Sequence, residues 1–191
     1  MSRTILLASG NRNKFFELSD FFQPAGVRVL FGPDVLGQEP EIIEDGTTYA
    51  QNALKKARFW AEKTGMAALS DDSGLEVQAL SWGPGTGSAR VAKDDPSRIL
   101  WLLEKLDGIQ DRAARFVACL ALVFPENRQC WITEGYCWGR IARQPSGSEG
   151  FGYDPLFVPE GYDEPFGVLG QRVKSRISHR AVATFSMRRM L

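Results

Sequence analysis

The sequence predicts an α/β protein in which a mixed β-sheet is flanked by helices. Short apolar runs typical of buried strands alternate with capped, amphipathic segments typical of helices. Further along, two apolar runs flank the turn residues Pro125-Glu126-Asn127, which predicts an antiparallel pair in the same sheet. Because the 191 residues contain no repeat, linker or low-complexity tract, we expect one domain over residues 1–191, built as two lobes.

Composition and charge argue against several kinds of protein. Lys and Arg together number 23, as do Asp and Glu, so the net charge is zero and binding to a nucleic-acid polymer is not expected. No apolar run approaches the length of a membrane span, so no membrane contact is expected either. The three cysteines are odd in number and lack CxxC spacing, which is typical of reduced thiols in a cytoplasmic protein.

The start of the chain predicts a strand, a turn and a helix. Thr4–Ala8 is a continuous apolar run, Ser9-Gly10-Asn11 is the turn, and an amphipathic helix begins near Asn13. The loop amides and the helix N-terminus favour an anion, and the turn side chains and Lys14 add a hydroxyl, an amide and an ammonium. On these residues alone, a capped helix start with a solvated lysine is the simpler interpretation.

A longer helix is predicted after the acidic segment that ends at Gly46. Thr48-x-x-Gln51 fits a capping box, and the helix ends near Lys63 because Gly65 follows. Lys56 falls at the edge of its buried stripe. That lysine either reaches into a cleft or lies along the surface with its ammonium in water.

Two adjacent carboxylates, Asp71 and Asp72, interrupt the run Ala68–Val77. Neighbouring side chains on an extended strand point to opposite faces. Both carboxylates can therefore enter one pocket only if the chain turns at Ser73-Gly74. A strand, a turn with polar residues and a second strand form the simplest interpretation of this stretch.

The remaining elements are ordinary for an α/β protein. Strands are predicted at 27–31, 113–124, 130–136 and 139–142, a helix at 97–106, a loop at 33–40 and a glycine-rich loop at 81–90.

Two later segments carry groups suited to a ligand. Gly147–Asp154 holds Phe151 and Tyr153 among several glycines, and aromatic faces on a flexible loop suit stacking on a planar ring. Ser178 is a good N-cap for a final helix, with a cluster of basic residues around it: Lys174, His179 and Arg180. Positive charge opposes the dipole at a helix N-terminus, so a bound anion explains this cluster better than stability does.

Seven short motifs follow one another along the chain. They are Ser-Gly-Asn-x-x-Lys from Ser9, Glu-Asp-Gly from Glu44, Asn-Ala-x-x-Lys-Ala from Asn52, Ser-Asp-Asp-Ser-Gly-Leu from Ser70, Pro-Gly-x-x-Ser-Ala-Arg from Pro84, Gly-Phe-Gly-Tyr-Asp-Pro from Gly150 and Ile-Ser-His-Arg from Ile177. Each motif is weak alone. In this order, from Ile5 to Ala183, they closely resemble the inosine triphosphate pyrophosphatase family, whose members are also called dITP/XTP pyrophosphatases.

The resemblance implies an activity, a cofactor and an assembly. The activity is hydrolysis of purine nucleoside triphosphates such as ITP, dITP and XTP to the monophosphate and pyrophosphate. The cofactor is Mg²⁺, and the assembly is a homodimer. The implied fold is an elongated α/β fold with the active site in a cleft between two lobes.

The resemblance also assigns site residues. The triphosphate would be held by Ser9, Gly10, Asn11, Lys14 and Lys56. The metal carboxylates would be Glu44 and Asp72, with Asp72 also the general base for water, whereas the role of Asp71 is open. Substrate contacts would come from Ser73, from the base-binding loop Phe151, Gly152, Tyr153 and Asp154, and from the clamp of Lys174, His179 and Arg180. Because an arginine only donates hydrogen bonds, we expect Arg180 to face the position-6 oxygen of the base.

The chain departs from the family pattern at several positions. Gln51 stands where a glutamate is common, which suggests the loss of a second metal contact. Gly87 and Val91 replace aromatic residues, and residues 165–172 match poorly. These departures bear on substrate preference and leave the reaction unchanged.

Two other functions compete with this one. A nucleotide-binding sensor without catalysis would be expected to lose the metal carboxylates or the lysines, and both are present. A metal-dependent nuclease would be expected to carry a basic stripe for its polymer, which the zero net charge does not favour.

Overall fold

The computed structural model of the protein describes residues 3–127 and 129–191, and over these the strands form one mixed sheet. The strands are β1 (Arg3–Leu7), β2 (Val27–Phe31), β3 (Ala68–Val77), β4 (Gly83–Pro84), β5 (Ala113–Val123), β6 (Cys130–Ile141) and β7 (Phe157–Pro159). Their order is β2-β1-β3-β5-β6-β7, and β4 pairs with β3. β1 pairs in parallel with β2 and β3, whereas the β3–β4 and β6–β7 pairs are antiparallel.

Helices accompany the sheet along the described chain. They are α1 (Arg12–Phe22), α2 (Gly32–Leu36), α3 (Tyr49–Thr64), α4 (Asp95–Lys105), α5 (Phe166–Ile177) and α6 (His179–Arg188). The predicted α/β class, a mixed sheet flanked by helices, is therefore confirmed. Among the described residues, no helix has the length and apolar character that crossing a bilayer requires.

The described residues form two compact units, each with its own apolar core. The first unit holds residues 3–72, 118–135 and 180–191, and the second holds 73–117 and 136–179. The boundaries fall within β3, β5 and β6, and after His179, the first residue of α6. In the first unit, one apolar cluster joins α1 and α6 to the strands β1, β2, β3 and β5, and another joins α3 to β1, β3 and β5. Leu7, Phe22 and Trp60 are almost fully buried there. The second core is built around Leu75, Phe157 and other apolar side chains.

The start and the end of α3 lie where local sequence signals predicted them. Thr48 Oγ1 accepts a hydrogen bond from Gln51 N at 3.2 Å, and Gln51 Oε1 accepts one from Thr48 N at 3.2 Å, which completes the capping box. Gly65 ends the helix in the left-handed conformation, with φ of 66°. Helical spacing predicts a buried stripe of Tyr49, Ala53, Ala57 and Trp60, and all are buried except Tyr49, which is half-buried.

Two strand predictions were wrong because burial outweighed turn propensity. β3 runs through Ser73-Gly74 without a turn, since Leu75 and Val77 continue into the second core with no exposed surface. β6 is one strand of 12 residues in place of the two predicted at 130–136 and 139–142. Its alternation of exposed and buried side chains continues through Trp138 and so needs no break.

The helices α2 and α5 were not predicted. Residues 33–40 were expected to form a loop, but α2 occupies the first part, with Pro33 in its first turn, where a proline costs no hydrogen bond. α5 lies in the segment that matches the family pattern poorly. Gly170 has a φ of 69° inside that helix, and the resulting kink hides its apolar periodicity in the sequence.

Candidate active site

The turn after β1 forms a capped helix start. Ser9 Oγ accepts a hydrogen bond from Asn11 N at 3.1 Å, and Asn11 Oδ1 accepts one from Lys14 N at 3.1 Å. Asn11 is therefore the N-cap of α1. A Cβ atom at position 10 would overlap the Glu39 carboxylate, so Gly10 permits the following acidic loop to approach the turn closely.

Asp71 and Asp72 contact different partners, as the alternation of a strand requires. Asp71 Oδ2 lies 2.9 Å from Lys14 Nζ and 3.1 Å from Arg180 Nε. Asp72 Oδ1 lies 3.2 Å from Lys56 Nζ, and its Oδ2 accepts a hydrogen bond from Asn52 Nδ2 at 3.2 Å. Because β3 does not turn, the two carboxylates have separate environments and cannot share one role.

Lys56 connects the two predicted metal carboxylates. Its Nζ lies 2.7 Å from Glu44 Oε1 and 3.2 Å from Asp72 Oδ1, so these two oxygens are at most 5.9 Å apart, the sum of the two distances. Glu44 comes from the loop before α3 and Asp72 from β3. The structure thus brings together the predicted metal carboxylates and one of the predicted phosphate lysines.

The two predicted phosphate lysines also converge. Lys14 Nζ lies 3.4 Å from the backbone oxygen of Asp71, and Lys56 Nζ lies 3.1 Å from the same oxygen. The two ammonium groups are therefore no more than 6.5 Å apart, the sum of these distances, although they come from α1 and α3. The positive charge of these two ammonium groups would stabilise phosphate oxygens bound near them.

Burial and neighbouring charge set the protonation of this cluster. Burial lowers the pKa of Lys14, and the positive charges of Lys56 and Arg180 add to that effect against the attraction of Asp71. Burial also acts to lower the pKa of Lys56, but Asp72 and Glu44 together outweigh it, so that pKa is raised. Burial raises the pKa of Asp72 despite the opposing effect of Lys56 and Lys14.

Arg180 lies inside the first unit among carboxylates. Only 2% of the residue is exposed, and its guanidinium pairs with Asp71 through Nε and with Glu17 through Nη1. Burial opposes the charge, but Asp71 and Glu17 raise the Arg180 pKa above its ordinary value. Carboxylates therefore balance the charge of Arg180, and the anion expected at this helix N-terminus stays a prediction.

In the second unit, Asp154 organises the predicted base-binding loop. Its Oδ2 accepts a hydrogen bond from Phe151 N at 2.8 Å and lies 2.5 Å from Lys174 Nζ. Lys174 Nζ also lies 4.3 Å from the centroid of the half-buried Phe151 ring. Asp95 Oδ2 accepts a further bond from Gly152 N at 2.7 Å. The loop is therefore tied down at several points, and Lys174 is balanced by a carboxylate.

Tyr153 differs from the sequence expectation. Its ring is 5% exposed within the second core, and its hydroxyl donates to Ser88 O at 2.8 Å. Burial raises the Tyr153 pKa to about 12. Only Phe151 of the two loop aromatics lies outside that core cluster, so the expectation of two aromatic faces offered for stacking was wrong.

The other two predicted contacts of the second unit are His179 and Ser73. The His179 ring is 4% exposed and stacks on Phe116, with 4.7 Å between ring centroids. Ser73 is half-buried on β3, next to Asp72 in the chain.

The Gln51 departure has a different meaning in the structure. Gln51 Oε1 accepts hydrogen bonds from Thr47 N at 2.8 Å and Thr48 N at 3.2 Å. The side chain therefore turns back onto the backbone before α3. It acts as a helix cap, a role that an uncharged amide fills as well as a glutamate does.

Three residues that the sequence did not assign to the site contact it directly. Glu17 pairs with Arg180, Asn52 donates to Asp72, and Asp95 holds Gly152. Helical spacing could have suggested the first two, since Glu17 is three residues after Lys14 and Asn52 four before Lys56. No local pattern points to Asp95.

Comparison with known proteins finds relatives that match nearly the whole chain. The model of the Ham1 family matches residues 5–190. The chain belongs to the Ham1 family. A Ham1 relative from Leifsonia xyli, named dITP/XTP pyrophosphatase, is 45% identical over 185 residues, which are 94% of this chain and 90% of that protein. One from Desulforamulus reducens with the same name is 44% identical, over 94% and 90% of the two chains.

Solved structures of Ham1 proteins share the fold. A HAM1 protein from Coxiella burnetii superposes with a TM-score of 0.87 at 34% identity, covering 98% of both chains. The Ham1 protein of Staphylococcus aureus gives a TM-score of 0.86 at 32% identity, covering 98% of this chain and 97% of that one. These likenesses agree with the mixed sheet and its flanking helices.

The residues near Lys56 fit a hard divalent cation. Among the described residues, no group of three or more His, Cys, Asp or Glu side chains could hold a metal ion. A metal held by protein ligands alone is therefore not expected within these residues. Magnesium is usually held by one or two carboxylates, with waters and substrate phosphates as its other ligands. Glu44 and Asp72 are two such carboxylates. The four acids of the cluster (Glu17, Glu44, Asp71, Asp72) exceed its three cations (Lys14, Lys56, Arg180) by one charge when all are ionised.

Proposed function

We propose that this chain hydrolyses ITP, dITP and XTP to the nucleoside monophosphate and pyrophosphate. The observation that carries the proposal is the meeting of Glu44 and Asp72 at Lys56, next to Lys14. A triphosphate with a divalent cation needs both carboxylates for the metal and cations for the phosphates. The names of relatives at 44–45% identity support the substrate class.

Glu44 and Asp72 would hold a Mg²⁺ ion through their oxygens. When bound, the ion would neutralise phosphate charge and polarise the phosphoryl group that is attacked. Asp72 would act as the general base that orients and deprotonates the attacking water.

The triphosphate would be held by the turn Ser9-Gly10-Asn11, by Lys14 and by Lys56. In the structure these two ammonium groups neutralise carboxylates and approach the Asp71 carbonyl. Phosphate oxygens would offer them stronger negative charge, and the leaving pyrophosphate would gain the same stabilisation as its charge develops.

The base would be recognised by residues of the loop Phe151–Asp154 and by Ser73, Lys174, His179 and Arg180. Lys174 Nζ lies over the Phe151 ring, so a purine would stack on the opposite face of that ring. Tyr153 would support the loop through its bond to Ser88 and would not stack. Arg180, fixed by its carboxylate partners, would donate to the position-6 oxygen, and adenine would present a donor there instead.

We propose further that the protein is a cytoplasmic homodimer. The zero net charge supports self-association, because identical copies carry no net repulsion. Light scattering coupled to gel filtration would give the mass of the assembly, and a mass of one chain would contradict the dimer.

Release of pyrophosphate measured across a panel of nucleotides tests the activity. With Mg²⁺ present, ITP, dITP and XTP should release pyrophosphate and the corresponding monophosphate, whereas ATP should be hydrolysed far more slowly. Chelation of divalent ions should stop the reaction. Release of inorganic phosphate and a diphosphate would contradict the proposed bond cleavage, and equal rates for ITP and ATP would contradict the proposed specificity.

A further inference from the structure

Asn52 links the two carboxylate-bearing segments of the candidate active site. Its side chain lies on α3 with no exposed surface. The amide nitrogen Nδ2 donates to Asp72 Oδ2 at 3.2 Å, while Oδ1 accepts from Gly46 N at 2.8 Å. Gly46 follows Glu44 by two residues. One amide therefore connects Asp72 of β3 with the backbone that carries Glu44.

The close approach of Gly46 shows that this link is tight. A Cβ atom at position 46 would lie 2.6 Å from Asn52 Oδ1, nearer than real Cβ contacts come. The next two backbone amides, of Thr47 and Thr48, donate to Gln51 Oε1 at 2.8 and 3.2 Å. Three consecutive amides after Glu44 and Asp45 are thus held by two neighbouring side chains in the first turn of α3.

We infer that Asn52 is a positioning residue that fixes Glu44 and Asp72 relative to each other for a divalent cation. This inference rests on the proposed function, because it assumes that these carboxylates hold the metal. An amide suits the task, since it donates to a carboxylate from one atom and accepts from a backbone N–H with the other. An ionised aspartate could only accept, and a leucine, which has the same branching, could do neither.

Binding of Mn²⁺ to the nucleotide-free protein tests the inference. Electron paramagnetic resonance of free Mn²⁺ gives the dissociation constant directly, without relying on turnover. Asn52→Leu removes both arms of the link and keeps the branching and the number of side-chain heavy atoms. Gly46→Ala adds a Cβ atom that would lie 2.6 Å from Asn52 Oδ1 and 2.8 Å from Gln51 Cβ, so it pushes this backbone away from the first turn of α3 without replacing Asn52. Each variant should weaken Mn²⁺ binding by roughly 10–100-fold, the usual cost of losing a partner that orients a metal ligand.

Ser70→Ala is the matched control. Ser70 is fully buried on β3 and its hydroxyl donates to Ala53 O on α3, so it joins the same two elements without touching either carboxylate. Its loss should lower thermal stability yet leave Mn²⁺ affinity within about twofold of wild type, because a merely structural bond does not orient the metal ligands. A weakening in Ser70→Ala equal to that in Asn52→Leu would overturn the assignment.

The remaining outcomes separate this inference from the proposed function. Wild-type affinity for Mn²⁺ in Asn52→Leu and Gly46→Ala, with wild-type protein that binds Mn²⁺ and releases pyrophosphate from ITP, would overturn the role of Asn52 alone. Wild-type protein that neither binds Mn²⁺ nor hydrolyses ITP would overturn both. Should Asn52→Leu not fold, Gly46→Ala alone decides the matter.

Discussion

At the residue scale, the two adjacent aspartates illustrate how one strand separates two tasks. Asp71 has no exposed surface and pairs with Lys14 and Arg180, whereas Asp72 contacts Lys56 and Asn52. Removing one member of a buried ion pair leaves its partner uncompensated, at a typical cost of about 3–5 kcal/mol. Asp71 is therefore a structural anchor for two cations, while Asp72 lies where chemistry is proposed.

Asp72→Asn should abolish turnover without unfolding the protein. The amide is nearly the same size and keeps an acceptor for Asn52, but it cannot take a proton from water and binds a divalent cation poorly. We expect kcat for ITP to fall by roughly 10²–10⁴-fold, the usual contribution of a general base. Pyrophosphate release measures the loss, and a melting curve verifies the fold. Near-normal turnover would remove Asp72 from the mechanism.

Arg180→Ala should affect both stability and the choice of base. It leaves Glu17 and Asp71 without their shared guanidinium, so the free energy of unfolding should fall by about 3–5 kcal/mol. It also removes the donor proposed for the position-6 oxygen, so ITP and XTP hydrolysis should fall and the gap to ATP should narrow. The ratio of kcat/KM for ITP and ATP measures this gap.

The matched control for that experiment is Glu17→Gln. It disturbs the same buried network but removes no donor of Arg180, so activity should fall with the ITP/ATP ratio largely kept. If Arg180→Ala lowers ITP hydrolysis and ATP hydrolysis by the same factor, Arg180 does not recognise the base. It would then support Asp71 and the phosphate lysines instead.

At the scale of elements, local signals were predictable and long-range pairing was not. The cap at Thr48 and the stop at Gly65 act within one helical turn, so the bounds of α3 could be predicted from neighbouring residues. The unbroken β3 depends on Leu75 and Val77 meeting a core assembled from distant segments. In α5 the backbone leaves the helical conformation at Gly170, with φ of 69°, and the helix resumes beyond it, so a single apolar periodicity does not run through the whole element.

The candidate site divides in the same way. Lys14, Lys56, Glu44 and Asp72 could be predicted because short motifs carry them. Their partners are distant in the chain, and the Glu17–Arg180 contact spans 163 residues. No local periodicity or spacing encodes a pairing between residues so far apart in the chain. The pairing of Arg180 with Glu17 and Asp71, and that of Lys174 with Asp154, were missed for this reason.

The capping box of α3 should be measurable as stability. Thr48→Ala removes the acceptor for Gln51 N, and we expect the free energy of unfolding in urea to fall by about 0.5–2 kcal/mol. Ser186→Ala is the control, since Ser186 Oγ donates only to Val182 O within α6 and is exposed. It should change stability by about 0.5 kcal/mol or less. Equal losses in the two variants would show that the cap contributes nothing specific.

At the scale of the whole molecule, each unit contains buried ionisable side chains. In the first unit they are charged and paired, as around Arg180 and Asp71. In the second, Lys174 and Asp154 form a pair with 3% and 2% exposed side chains. A buried ion pair stabilises the fold only at a pH at which both members are ionised. The free energy of unfolding therefore depends on pH.

Stability should fall as the pH rises from 8 towards 11. Burial raises the pKa of Cys119, Cys137 and Tyr153 to about 12, from ordinary values of 9.0, 9.0 and 10.0. Between the ordinary and the raised pKa the unfolded chain has lost protons that the folded chain keeps, so each group destabilises the fold there, by at most about 1.4 kcal/mol per pH unit. Lys14, whose pKa is lowered, acts in the opposite direction below 10.5. The free energy of unfolding in urea, measured at pH 8 and at pH 10.5, gives the combined effect of these groups.

The control is a variant with Cys119→Ala and Cys137→Ala. It should lose less stability over that interval than wild type, because it no longer carries the two thiols. Equal losses would mean that the thiols titrate near their ordinary pKa in the folded protein, and burial would then not be what controls them.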